Sequence, residues 1–368
     1  MLLILYVAVF LWFDRLSFAV ARDERFYWPT IEQFAEQFPP PVSLLRNYDE
    51  PSTPLFFVFY GAVEHFTHRG IQLARILNLG CSWVVVCIIL RGFRANPGSV
   101  LACAGLLIYP YFLGTSVYLY PDILAALWVI AGVGAARCGR DWPAAVLFAL
   151  GIATRQYMVA FPAAYVILGA LDAYHARRWE RGIIPYALSC LTLGGWFLFF
   201  GGLAPAAGRA AHLSMDPGGI HLDHALYFLS CIGAYYVVVE AALFRMLHFR
   251  ATSIAAISAM IVILLCCISP PQGNSIGVET MGYLDKFLHY CLPPALCVIA
   301  LTVLATLAAF RFAQSGLAGW WLFMSAAVLL RSHTAWDKYA LPLLAALWFL
   351  KSREPQTRSP TEFGPRLT

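Results

Sequence analysis

Charge is what this chain has least of. Only 12% of its 368 residues are Asp, Glu, Lys or Arg, about half the share found in a soluble domain. That scarcity argues against a water-facing globular surface. Together with 60% hydrophobic residues it points to an integral membrane protein. The formal charge of +5 is dispersed between apolar segments, so the basic residues read as topology determinants and no nucleic-acid partner is implied. Familiar motifs are missing as well. There is no Gly-rich phosphate loop, no HExxH and no GxSxG, which removes the common nucleotide cradles, zinc peptidases and serine hydrolases. The 10 cysteines form no CxxC and no Cys/His ligand spacing. They read as small buried hydrophobes, with no metal and no cofactor expected. No internal repeat of the transporter kind is visible.

What is present is a succession of apolar runs. A spanning helix needs about 20 apolar residues. Spans are read at 1–21, 71–90, 99–117, 121–137, 142–156, 157–172, 183–203, 224–245, 252–269, 286–310, 317–331 and 336–351. The pair 142–156 and 157–172 also fits one kinked helix. The expectation is an all-α integral membrane fold of about 12 transmembrane helices over 1–351, with a polar, disordered cytoplasmic tail at 352–368. The run Met1–Phe13 has no basic n-region or small-residue cleavage site, so it reads as a retained first helix.

The basic residues sort onto one face under this count. Arg91/Arg94, Arg137/Arg140, Arg177/Arg178/Arg181, Arg245/Arg250, Arg311 and Lys351/Arg353 fall together, and that face is read as cytoplasmic. The opposite face receives 22–70, 204–223, 270–285 and the turn at 331–336, with most of the acids. The first outer loop, 22–70, is long. Within it Pro29–Phe38 reads as a short surface helix ended by Pro39-Pro40-Pro41. Pro54–Phe66 is too short to span and reads as an interfacial or re-entrant helix.

Candidate chemistry gathers in that loop. Arg22-Asp23-Glu24-Arg25-Phe26-Tyr27 is answered by Asp49-Glu50-Pro51-Ser52-Thr53-Pro54. Carboxylates beside a bilayer are costly unless something uses them, and one held there can act as a general base. Tyr27 and its aromatic neighbours read as interface anchors. Arg75 reads either as a snorkelling side chain or as a phosphate contact. Asp122 opens its span within Tyr120-Pro121-Asp122, and Arg155-Gln156 sits in apolar surroundings that demand an anionic partner. His333, Asp337 and Lys338 cluster before the last span. Glu240 stands alone inside its apolar run.

In order, the acid pair, the Pro-rich acidic loop, Leu73-Ala74-Arg75-Ile76-Leu77-Asn78, Tyr120-Pro121-Asp122 and Thr154-Arg155-Gln156 resemble the GT-C glycosyltransferases. These membrane enzymes use polyprenyl-phosphate-linked sugars. The motifs look most similar to the dolichyl-phosphate-glucose α-1,2-glucosyltransferases, over roughly the first 170 residues. The family's C-terminal region is matched only loosely, by His333–Tyr339.

The resemblance implies an inverting transfer from a polyprenyl-phosphate sugar to a hydroxyl on a glycan or lipid-linked acceptor. It implies Asp23, Glu24 and Glu50 as catalytic acids, with Asp23 the base. Arg75, Arg155 and Lys338 would meet the donor phosphate. Asp49, Asp122, Gln156, His333 and Asp337 would meet acceptor or sugar. No metal is implied. The site would face the periplasm or exterior of a plasma (inner) membrane, or the lumen of the endoplasmic reticulum in a eukaryote. The competing reading is a transporter or lipid-carrier flippase, which predicts repeats and charges near the midplane.

Overall fold

The structure is a computed structural model, and it describes residue 16 and residues 18–91, 95–177, 182–212, 219–245, 252–273, 282–314, 316–332 and 334–354. Every regular element among them is helical. Five helices are long and apolar enough to cross a membrane: Gly70–Leu90, Gln156–Ala176, Ile183–Phe200, Leu222–Phe244 and Pro294–Phe312. A sixth follows if Pro97–Ile108 and Pro110–Val117 count as one. That architecture is compatible with a membrane protein.

Prolines explain why apolar runs and helices differ. The 99–117 run is two helices bent by 74°. Tyr109, extended at φ −72 and ψ 111, precedes Pro110, whose ring disfavours helical geometry in the residue before it. The 286–310 run divides into Tyr283–Cys291 and Pro294–Phe312, because Pro293 and Pro294 stop one helix and start the next. The last run opens with a short 3₁₀ turn, Asp337–Ala340, before Leu341–Arg353. That helix includes Ser352 and Arg353, so the polar tail starts later than the sequence suggested; residues 355–368 lie outside the described residues. The 142–172 region is two helices broken at Arg155, which is extended at φ −147 and ψ 122. Of the expected first span, residues 18–21 are not helical and most of the rest lies outside the described residues.

The first outer loop is a folded unit. Its helices Glu24–Glu36 and Leu55–Thr67 pack on each other and bury Ile31, Phe34, Phe56, Phe57 and Tyr60 completely. The helix expected at Pro29–Phe38 starts earlier, at Glu24, with its apolar face internal and Glu32, Gln33 and Glu36 exposed. The same apolar cluster takes in Leu119, Tyr120 and Leu124, so the loop is seated on the start of the Pro121–Arg137 helix. A larger core joins the remaining helices around Trp321 and Trp348. Gly105 allows a close approach there, since a Cβ would lie 2.5 Å from the Trp348 ring.

Candidate active site

Asp23 and Glu24 diverge at the helix they begin. Asp23 is the N-cap and Glu24 the first helical residue, and successive helical residues point about 100° apart. Glu24 turns inward. Its carboxylate accepts from Arg75 Nε at 3.0 Å and Arg75 Nη2 at 2.6 Å, and from the Leu119 backbone N–H at 2.7 Å. Arg75 Nη1 donates to the carbonyls of Leu16 and Phe18, and Nη2 also reaches Ala19. Both side chains are fully buried. Arg75 thus has a partner for each nitrogen of its fork and no capacity left for a phosphate.

Asp23 turns the other way. Its Oδ2 lies 2.5 Å from Lys338 Nζ, with the Asp23 side chain 18% exposed. Lys338 comes from the 3₁₀ turn near the other end of the chain, and its ammonium rests 3.6 Å from the Trp336 ring centroid and 5.2 Å from that of Tyr120. Aromatic faces of this kind hold a cation in place without neutralising it.

Glu50 completes the group. It is 4% exposed, and among the described residues its carboxylate has no hydrogen-bond or ion-pair partner. The loop that carries it is fixed: Tyr48 donates to the Ser52 carbonyl at 2.5 Å, Thr53 to Ile152 at 2.7 Å, and Gln156 Nε2 to Pro51 at 2.9 Å. Burial pushes the Glu50 carboxyl up from 4.5 to about 8. Arg155 and Lys338 pull the other way, while Asp23 and Asp49 add to the rise.

Arg155 and Asp122 form the next layer. Arg155 Nη2 donates to Asp122 Oδ2 and to the Tyr27 hydroxyl, each at 3.1 Å. Tyr157 donates to Asp122 Oδ1 at 2.6 Å. Asp122 is fully buried in the first turn of its helix, where the helix dipole favours an anion. Among the described residues the Arg155 side-chain hydrogen bonds leave from Nη2, and its buried Nε has no partner there. In contrast to Arg75, this guanidinium is only half used.

The remaining expected residues are placed elsewhere. Asp49 is exposed. Gln156 tethers the acidic loop through Pro51 and Leu203. Asp337 accepts from Tyr227 at 2.5 Å, Tyr235 at 2.8 Å and the Leu284 N–H at 2.8 Å, so it anchors the turn that presents Lys338. His333 lies outside the described residues. Tyr27, read as an interface anchor, is instead buried among Arg155, Asp23, Glu50 and Asp122. Its i+4 spacing from Asp23 and i+3 spacing from Glu24 were the available signal. Among the described residues one group, His221, Asp223 and His224, brings three ligand-type atoms within 4.8 Å; it shares no residue with the Glu50 group.

Comparison with protein-family models, with curated proteins and with solved structures gives no match.

The Glu50 environment has a pH signature. In an unfolded chain this carboxyl ionises above 4.5, whereas the folded one keeps its proton to about 8. Between those values the folded state binds more protons, so stability is full below the lower value and falls as pH rises through the upper one. At about 1.4 kcal/mol per unit, the loss amounts to a few kcal/mol. Glu50→Gln is expected to abolish that fall. Melting curves of both proteins from acid to alkaline pH test it, and a wild-type Tm that does not decline would remove Glu50 from this role.

Proposed function

We propose that this chain is a membrane glycosyltransferase of GT-C type, with about twelve spans, moving a sugar from a polyprenyl-phosphate donor to a hydroxyl of a glycan or lipid-linked acceptor. The observation that carries the reading is the meeting of Asp23 with Lys338, beside a buried Glu50 and an Arg155 Nε that have no hydrogen-bond partner among the described residues. A base, a neutral carboxyl and two cations able to take a phosphate are what this transfer needs.

In the proposed step the acceptor hydroxyl gives its proton to Asp23. Its oxygen forms a bond to the anomeric carbon, and the bond from that carbon to the donor oxygen breaks with inversion. The electron pair leaves with the lipid phosphate, whose growing charge Arg155 and Lys338 offset. Drawing Lys338 toward phosphate also loosens its hold on Asp23 and frees that carboxylate to accept from the acceptor hydroxyl. Glu50, protonated near neutral pH, donates a hydrogen bond to a sugar or acceptor oxygen. Glu24 and Arg75 serve as the buried clamp that fixes the loop. The site faces the periplasm, exterior or lumen in this reading.

The test is incubation of purified full-length protein with a panel of radiolabelled polyprenyl-phosphate sugars, scored for release of lipid phosphate. Release dependent on Asp23 supports transfer. Movement of intact lipid across a vesicle membrane without cleavage would favour a flippase and overturn the proposal. Arg155→Gln is expected to raise donor KM by about ten-fold or more, the usual worth of a charge-assisted hydrogen bond. An unchanged KM in a folded variant removes Arg155 from the phosphate site.

A further inference from the structure

A second concentration of charge lies away from the Glu50 group. A cavity of about 410 Å³ is lined by Arg137, Arg311 and Arg353, with Tyr236, Phe312 and Leu350 among its apolar neighbours. The acids nearby are already engaged. Glu240, solitary in the sequence, is buried and bonded to Arg311 at 3.0 Å and Lys351 at 3.0 Å. Glu354, which also lines the cavity, is paired with Lys351 at 2.8 Å. Among the described residues Arg91, Arg137 and Arg353 have no acidic partner, and Arg91 and Arg137 act on Arg353 as like charges. The buried Arg91 Nε lacks any hydrogen-bond partner among the described residues.

Arginines at helix ends have an ordinary explanation. Arg137 and Arg353 close the helices Pro121–Arg137 and Leu341–Arg353, where the dipole and membrane topology both favour cations. That accounts for each one alone. It does not account for three guanidinium groups lining one cavity, of which only Arg311 has an acidic partner among the described residues. One wall also carries Tyr236 within a π-helical stretch, Gly233–Val238, a distortion frequent at functional sites.

We propose that this cavity binds a phosphate ester, with the headgroup of an anionic lipid as the source that also uses its apolar lining. Guanidinium forks match phosphate oxygens, and basic pockets between membrane helices are suited to anionic headgroups. Phe312 and Leu350 would take the first methylenes of the acyl chain. The inference is independent of sugar transfer.

Thermal unfolding of the full-length protein in detergent tests it. The probes are dihexanoyl phosphatidate, inorganic phosphate, and zwitterionic dihexanoyl phosphatidylcholine as control. A ligand that binds only the folded state raises Tm saturably, and phosphatidate is expected to do so where phosphatidylcholine does not. Arg137→Gln is expected to fold at least as well as wild type, because it relieves like-charge crowding. Its apparent affinity for phosphatidate is expected to fall about ten-fold or more, and Arg353→Gln is expected to behave likewise. Equal potency of inorganic phosphate assigns a free phosphate anion, and much greater potency of phosphatidate assigns a lipid headgroup. No saturable rise, an equal rise with phosphatidylcholine, or undiminished affinity in both variants overturns the site.

Discussion

Asp23→Asn is expected to slow sugar transfer roughly 10²–10⁴-fold while donor affinity changes little. Asparagine keeps the size of the side chain and still accepts a hydrogen bond from Lys338, so the turn that carries the lysine stays in place. What disappears is a group able to take a proton. Proton removal matters in the transition state and not in the ground state, so the loss should fall on kcat and spare donor binding. Lys338, 4% exposed, keeps a hydrogen-bond acceptor but loses its counter-charge, so the variant loses some stability and its folded yield is measured beside its turnover. The measurement is single-turnover transfer with saturating donor, beside a donor-binding titration. Near-normal turnover would move the base to Glu50, the other carboxyl in the group. It would not move it to Glu24, whose oxygens already accept from Arg75 and from Leu119.

Arg75→Ala is expected to cost about 3–5 kcal/mol of stability, the usual result of stripping one partner from a buried ion pair. The substitution leaves Glu24 as an uncompensated charge with no exposure to water. It also orphans the carbonyls of Leu16, Phe18 and Ala19. The double variant Arg75→Met with Glu24→Gln should recover part of the loss, because it removes both charges together. Melting temperature and yield of folded protein give the readout. A fully stable Arg75→Ala protein with a raised donor KM would return Arg75 to the phosphate site.

The two adjacent acids show how far sequence reading reaches. Their cost near a membrane was legible, and so was the need of Arg155 for an anion. Which acid faced which cation was not. Asp23 meets a lysine 315 residues away, and no local pattern records a pairing at that separation. A rotation of one helical step decides that Glu24 becomes a clamp and Asp23 stays reachable. Hydropathy located the apolar runs but not the helices, because Pro110 and the Pro293-Pro294 pair interrupt runs that remain apolar throughout. Glu240 was a puzzle in sequence for the same reason that Asp23 was ambiguous: its partners, Arg311 and Lys351, arrive from distant helices.

The bend at Pro110 has a consequence for genetics. Arms of 12 and 8 residues are too short for either to cross a hydrocarbon layer of about 30 Å alone. The backbone beyond the bend must therefore find partners inside the protein. Asn78 donates to the carbonyls of Thr115 and Tyr118, and Glu24 accepts the Leu119 N–H. A saturation screen scored only by survival would rank Glu24, Arg75 and Asn78 alongside Asp23, and would redraw the catalytic centre around a splice in the scaffold. Sorting each dead allele by how much folded protein reaches the membrane separates the two classes: splice alleles vanish from the membrane fraction, whereas an Asp23 allele persists there and is silent.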